Sequence, residues 1–436
     1  MLRLTRFLCL CYLNLALCSL RTDGAIKFGE AGTNPAEINY NLRIGTLQFN
    51  LAAETRFSWD SNFNRNNSEE SAFAVVPTMS IQAYWPISPY LVLSTGTTIG
   101  YEHYLEGDIN GRDGLIIGDI NEDATSRFDI DFNLSNEAII TLSNSFSANI
   151  ASASIQTNDR QNNAQRQDQP FRRFSSVSSL QYAQRLNANT RVSFGYSFTD
   201  IFSRDVTTET AINNSLDSQA HSLFTELGTQ INDSLIFSLQ SNLSSTIYTE
   251  DFRNDFEQYK LGPRVTYISE SGLNTSIYLA FNHLAFDNTS SPTTQENESS
   301  SLIFQSSVNF TTGNYLNHSL GLSYLQKPSQ ATTANPETPG ETIPANFQEE
   351  TDFTYRLNYL LNKRLNLSLS YGLSQIEESD GGNQFSRETI SARIPFQLNE
   401  RTTLSTRYTY FKTFGSEFTE FNYNRHLVEI TFQLNF

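Results

Sequence analysis

The sequence predicts an all-β fold: a transmembrane, antiparallel, up-and-down β-barrel of about 18 strands, within a range of about 16–20. Three observations carry this. The chain ends in a ten-residue stretch, 427–436, in which Val428, Ile430, Phe432, Leu434 and Phe436 share one parity. Leu427, Glu429, Thr431, Gln433 and Asn435 share the other. Successive side chains on a strand point to opposite faces, so this stretch has one apolar and one mostly polar face. The same alternation recurs along the whole chain. The connectors between alternating segments are short and long in turn, as in barrels with tight periplasmic turns and long outer loops.

Composition agrees. Hydrophobic residues make up 38% of the 436 residues, with 32 Phe and 20 Tyr, and Ser, Thr, Asn and Gln are abundant. A soluble domain this poor in aliphatic residues would struggle to fill a core. A transmembrane barrel keeps a polar interior and turns its apolar band to lipid. After the N-terminus no stretch approaches the ~20 consecutive apolar residues of a membrane-spanning helix. No helical periodicity is sustained.

Residues 1–25 read as a secretory signal peptide, with Arg3 and Arg6 ahead of an apolar run from Phe7 to Leu20. Cleavage fits after either Ala16-Leu17-Cys18 or Gly24-Ala25. Leu17 is a poor match to the small residue expected before a lipidated cysteine. Cys9, Cys11 and Cys18 all lie in this segment. The remaining chain can form no disulfide or cysteine metal site, which suits passage through an oxidising periplasm. Removing the segment takes away three arginines and one aspartate and moves the net charge from −17 to −19. Such an acidic chain is a poor nucleic-acid binder.

The segment 26–45 is too short for a plug, and Asn39 to Ile44 can extend the first strand. The barrel then spans 46–436. Its first strand, 46–59, sets Leu47, Phe49, Leu51, Ala53, Phe57 and Trp59 against Gln48, Asn50, Glu54, Arg56 and Ser58. A polar loop follows, and strand 73–85 aligns Phe73, Val75, Met79, Ile81 and Trp85. Pro86 to Pro89 makes a tight turn into strand 90–104, where Leu91, Leu93, Ile99 and Tyr101 oppose Ser94, Gly96, Thr98 and Gly100.

Further strands read at 125–135, 138–150, 171–186, 189–203, 216–231, 233–249, 258–270 and 273–286. The rest read at 297–311, 315–327, 349–361, 365–378, 384–397, 400–414 and 421–436. Turn residues such as Asn136, Asn187, Asn232, Gly272, Gly313, Asn362 and Asn399 fall in the short connectors. Residues 104–124, 151–170, 204–215, 287–296 and 328–348 are the clear long loops.

The stretch 45–105 resembles a family of bacterial β-barrel porins linked to exopolysaccharide loci. The resemblance rests on Gly45, Trp59-Asp60-Ser61-Asn62, Pro77, Trp85-Pro86-Ile87, Gly100-Tyr101 and Tyr104-Leu105. Family members carry Asp-Asn or Asn-Asp-Asn where this chain has Asp60-Ser61-Asn62. The resemblance implies an outer-membrane barrel without catalytic residues; it does not name a cargo.

Catalytic and metal chemistry finds little footing. His103, His221, His283, His318 and His426 show no metal-ligand spacing. Neighbours such as His318 and Ser319 face opposite ways on a strand and cannot act as base and nucleophile unaided. Asp108, Asp113, Asp119, Glu122 and Asp123 lack the spacing of a calcium loop and read as solvated charge. No enzyme activity and no cofactor are expected.

Arg56, Arg356, Arg393, Arg407 and Arg425 do fall on polar-parity positions. Closure of the last strand on the first would gather them in one sector of the lumen wall. Inward acids such as Glu54 and Glu429 are the expected partners, and pairing of this kind is the more ordinary reading. Trp85 and Tyr90 should mark the periplasmic interface, and Trp59 and Tyr101 the outer one. Phe432, Leu434 and the terminal Phe436 form the expected insertion signal, read by the barrel-insertion machinery. The sequence thus points to a passive channel for small hydrophilic solutes in the outer-membrane lipid. A polysaccharide exporter and a closed structural or adhesive barrel are the alternatives.

Overall fold

A computed structural model describes residues 41–62, 71–106, 113–118, 126–152, 170–205, 217–249, 255–287, 298–313 and 315–328. It also describes 332–334, 342–344, 347–378, 384–415 and 422–436. The signal-peptide reading of 1–25, and Asp108, Asp119, Glu122 and Asp123, lie outside the described residues.

The strands are β1 (Leu42–Ile44), β2 (Leu47–Asp60), β3 (Ala72–Ser88), β4 (Leu91–Glu106), β5 (Gly114–Ile117), β6 (Ser126–Ser135), β7 (Ala138–Ser152) and β8 (Pro170–Arg185). Next come β9 (Thr190–Asp205), β10 (Ser218–Asn232), β11 (Leu235–Tyr248), β12 (Asp255–Ile268), β13 (Asn274–Asp287), β14 (Glu298–Thr312) and β15 (Leu316–Pro328). The last are β16 (Thr332–Ala334), β17 (Thr342–Pro344), β18 (Phe347–Asn362), β19 (Leu365–Glu378), β20 (Gln384–Gln397), β21 (Thr402–Phe414) and β22 (Tyr423–Asn435).

Eighteen of these form the wall of a closed antiparallel barrel, in the number and order expected. Each pairs with its neighbours in the chain, and β22 closes on β2 from Ala52↔Asn435 to Asp60↔Leu427. Closure leaves no free edge strand, and that is why a sheet can stand in lipid at all.

The short connectors share one chemistry. A polar side chain at the end of the incoming strand accepts the amide N–H two residues on: Ser135 from Glu137, Asn187 from Asn189, Asn232 from Ser234, Asn362 from Arg364 and Asn399 from Arg401. This local bond replaces a ladder bond and reverses the chain. Gly272 and Gly313 take positive φ in two of the other turns (86° and 62°), a conformation that costs glycine nothing.

The outward parity is apolar as predicted. Phe57, Trp59, Met79, Ile81, Trp85, Ile99, Tyr101, Tyr196, Phe281, Leu322, Ile390, Tyr408, Ile430 and Phe432 are all exposed on it. Trp85 lies near the short-turn end of β3 and Tyr90 in the turn itself, while Trp59 lies near the long-loop end of β2.

Three local features differ from expectation. Residues 42–44 do not extend the first strand. Gly45, at φ 64°, turns them back to pair with 47–49. The connector after β4 is not all loop, because β5 returns to the wall and pairs Ile99↔Ile117 to Glu102↔Gly114. Below it β6 pairs with β4 from Gly96↔Arg127 to Leu91↔Phe132. One wall position is therefore filled by two segments, parting at Gly118. There φ is 91°, and a Cβ would meet Phe146 O at 2.7 Å. Finally, a small hairpin of β16 and β17 lies within the connector after β15.

Candidate functional site

Among the described residues the inner parity of the wall lines the lumen, and on β7 to β11 it is mostly hydroxyl and amide. On β7 to β11 it carries Thr141, Ser143, Ser145, Ser179, Gln181, Ser193, Ser197, Ser222, Ser238, Gln240 and Asn242. Neighbouring strands bond these groups across the ladder. Asn242 donates to Ser222 Oγ (2.9 Å), Gln240 to Glu226 Oε1 (3.1 Å), and Thr141 to Asp131 Oδ1 (2.6 Å). Asp129 accepts from Ser143 Oγ and from Arg127 Nε. Such cross-strand pairs hold the inward side chains in place.

The arginines are gathered where closure puts them. β20, β21, β22 and β2 are consecutive around the wall and carry Arg393, Arg407, Arg425 and Arg56 on the inner parity. Arg356 on β18 is separated from this group only by β19. Their environments divide them. Arg425 is largely shielded from solvent and chelates Asp60: Nε lies 2.9 Å from both carboxylate oxygens and Nη2 2.6 Å from Oδ2. Arg56 Nη1 lies 3.2 Å from Glu429 Oε1, and the same buried carboxylate stands 3.7 Å from Arg407 Nη1.

Arg393 is directly opposite Arg407 in the ladder and donates Nε to Ser405 Oγ at 3.2 Å. Arg356 and Arg393 are exposed to the lumen, and among the described residues neither makes an ion pair. Directly opposed like charges destabilise a sheet, so a hydrated anion beside Arg393 and Arg407 would relieve a built-in repulsion.

Arg387 belongs with them and was not singled out in the sequence. It lies on β20 on the same parity as Arg393, exposed, with its guanidinium 5.0 Å from the centroid of Phe385. Its even spacing from Arg393 was the available signal. The alternation alone puts Asp60 just past the first strand, at the start of a loop. It is the last residue of β2, points inward and is buried.

Aromatic side chains also occupy inner parity near the long-loop ends, among them Tyr248, Phe256, Phe286, Phe385 and Phe411. Tyr248, Phe256 and Phe286 sit on three adjacent strands with ring centroids 6.4 and 5.9 Å apart. Phe286 and Phe385 are buried, so they pack rather than offer an open stacking surface.

The histidines take no part in the lumen. His221 meets Tyr196 OH at 2.8 Å, His426 meets Tyr408 OH at 2.8 Å, and His318 meets Tyr355 OH while stacking on Phe310. These bonds lie on the outward, aromatic face. Asp113 accepts the amide of Tyr104 (2.9 Å) and pairs with His103 Nδ1 (2.5 Å). Among the described residues no three metal-binding side chains converge. Phe436 follows β22, is 53% exposed, and donates its amide to Leu51 O at 3.1 Å.

No protein-family profile matches the sequence, and no curated protein matches it. The fold does have solved counterparts. A BenF-like porin from Pseudomonas fluorescens is 12% identical over 90% of this chain and all of its own, with a TM-score of 0.50. The outer membrane protein OpdK from Pseudomonas aeruginosa is 9% identical, with 89% and 99% of the two chains covered and a TM-score of 0.48. An anion-selective porin from Comamonas acidovorans is 11% identical, with the same coverage and a TM-score of 0.40. At these identities the likeness is one of fold. The chain has the closed, 18-stranded β-barrel fold seen in the BenF-like porin.

Proposed function

We propose that this barrel is a passive channel for small hydrophilic solutes, with a local preference for anions. The observation that carries the reading is the inner wall. Hydroxyls and amides dominate it on β7 to β11, and Arg356, Arg387 and Arg393 are exposed within it without an ion pair among the described residues. Eighteen strands suffice to enclose an aqueous lumen. The porin architecture of the BenF-like structure is consistent with this use of the fold. The test is the conductance of purified, refolded protein in a planar bilayer. Discrete ohmic steps are the expected result. Silence from protein that is folded and inserted would overturn the channel reading and leave a closed or exporting barrel.

The C-terminal strand has a separate task under this reading. Phe432 and Leu434 lie on the outward parity of β22, and Phe436 stays exposed beyond it. Their side chains are therefore accessible before the barrel closes, as a signal for insertion machinery must be. Deleting Phe436 is expected to reduce the heat-modifiable, folded population in outer membranes by about tenfold, while the deletion removes only one backbone bond worth about 1 kcal/mol. Unchanged folded levels would remove that role from Phe436.

A further inference from the structure

The ladder between β14 and β15 is incomplete. It runs from Thr312↔Leu316 to Phe304↔Tyr324 and stops. Yet among the described residues β14 continues to Glu298 paired only with β13, and β15 continues to Pro328 paired only with β18. In a regular continuation Ile303, Leu302 and Ser301 would oppose Leu325, Gln326 and Lys327. Instead the end of β15 lies against the inside of the wall. Leu325 packs on the buried inner-face cluster of Tyr278, Ala280 and Ile303, two of which belong to β13. Asn282 of β13, 0% exposed, donates to the backbone carbonyl of Gln326 at 3.4 Å, across the position of β14. Gln258 holds that amide from behind by donating to Asn282 Oδ1 at 2.8 Å. Gln326 Nε2 reaches Ser299 Oγ at 2.8 Å.

The wall is shaped to receive this end. Opposite Ala280 stands Gly262, where an added Cβ would fall 2.4 Å from Ala280 Cα and 2.0 Å from Leu279 O. The β12–β13 register skips Gly262 and Pro263 there. An ion pair between Lys327 and Glu350 ties the end of β18 to that of β15. On the outside, Leu302 is left 62% exposed beside the gap.

We propose that the outer ends of β15 and β18 form a strap with two positions, latched inside the lumen as seen here and zipped onto β14. The proposal rests on the channel reading for its consequence, not for its geometry. Both positions suit the sequence, because Leu325 and Lys327 fall on the inner parity in each. Zipping restores the ladder bonds of three residue pairs and gives up the Asn282 and Gln326 bonds together with the cover over Ile303. Two packings that exchange similar interactions differ little in free energy and can both be populated. The latched strap occupies lumen cross-section that the zipped strap returns to the pore, so it gates the solute path.

Ser301→Cys with Lys327→Cys tests this. The barrel has no cysteine of its own, and directly opposed strand residues lie about 4.5–5.5 Å apart, within disulfide range. The pair is made alone and with Asn282→Leu, which removes the Asn282 bond to the Gln326 carbonyl, and folding is checked by heat-modifiable mobility. The expected result is a disulfide in both folded proteins, formed faster with Asn282→Leu. Single-channel conductance should rise roughly twofold on oxidation and fall back on reduction. Folded protein that forms no disulfide in either background would overturn the strap. A disulfide that leaves conductance unchanged would overturn its gating role. Absence of conductance in the unsubstituted protein as well would count against the channel reading alone, since disulfide yield is scored without it.

Discussion

Arg425→Met is expected to destabilise the folded barrel by roughly 3 kcal/mol, and Asp60→Ala by a similar amount, because each leaves one buried charge without its partner. Both side chains are largely removed from solvent, at 14% and 8% exposure. They join the last wall strand to the first. No chain connection exists at this junction, so closure depends wholly on the ladder and on what reinforces it. The reinforcement is dense at the outer end. Ser61 N donates to His426 O at 2.9 Å, His426 N to Ser61 Oγ at 2.8 Å, and Asn62 Nδ2 to Asn424 O at 3.1 Å. Asp60 Oδ1 also accepts the amide of Asn62 at 3.1 Å. Urea unfolding in lipid vesicles measures the cost. The double variant Asp60→Leu plus Arg425→Met should recover much of the loss, since an apolar pair of similar volume leaves no orphan charge. A loss below about 1 kcal/mol in either single variant would place the pair among solvated surface contacts and refute its closing role.

The Trp59-Asp60-Ser61-Asn62 motif shows where sequence reading reaches its limit. The strand count, the faces and the short turns were legible because each depends on a period of two residues and a local turn bond. Phe353, Tyr355, Leu357, Tyr359 and Leu361 announce β18 without help from any other segment. Closure could be inferred, and with it the convergence of Arg56, Arg393, Arg407 and Arg425. The job of Asp60 could not, because its partner lies 365 positions away in the chain. The same limit hid β5, a four-residue segment that holds its place only by pairing with β4 and β7. It also hid the departure of β15 from the wall. Residues 325–328 continue the alternation, and only the missing ladder to β14 shows that they leave it.

Replacing Arg393 and Arg407 together with alanine is expected to lower the anion-to-cation permeability ratio roughly fivefold at low ionic strength, where wall charges focus mobile ions most strongly. These two are the pair to remove because they differ from their neighbours. Arg425 is spent on Asp60, and removing it would strand a carboxylate and confuse selectivity with stability. Arg56 is held by Glu429 at 3.2 Å, closer than the 3.7 Å from the same carboxylate to Arg407. Arg393 and Arg407 oppose one another in the ladder; Arg407 has only the long contact to Glu429, and Arg393 makes no ion pair among the described residues, so their field reaches the solution. Reversal potentials across a potassium chloride gradient report the ratio directly. Lys412→Ala is the control: it removes a cation at the end of β21 on the outward parity, over the ring of Phe414, and should leave the potential unmoved. The effect must also fade with salt, since the screening length falls from about 30 Å at 0.01 M to about 3 Å at 1 M. A double variant with an unchanged potential at low salt would show that the arginines are neutralised in place and that the hydroxyl lining sets permeation without them.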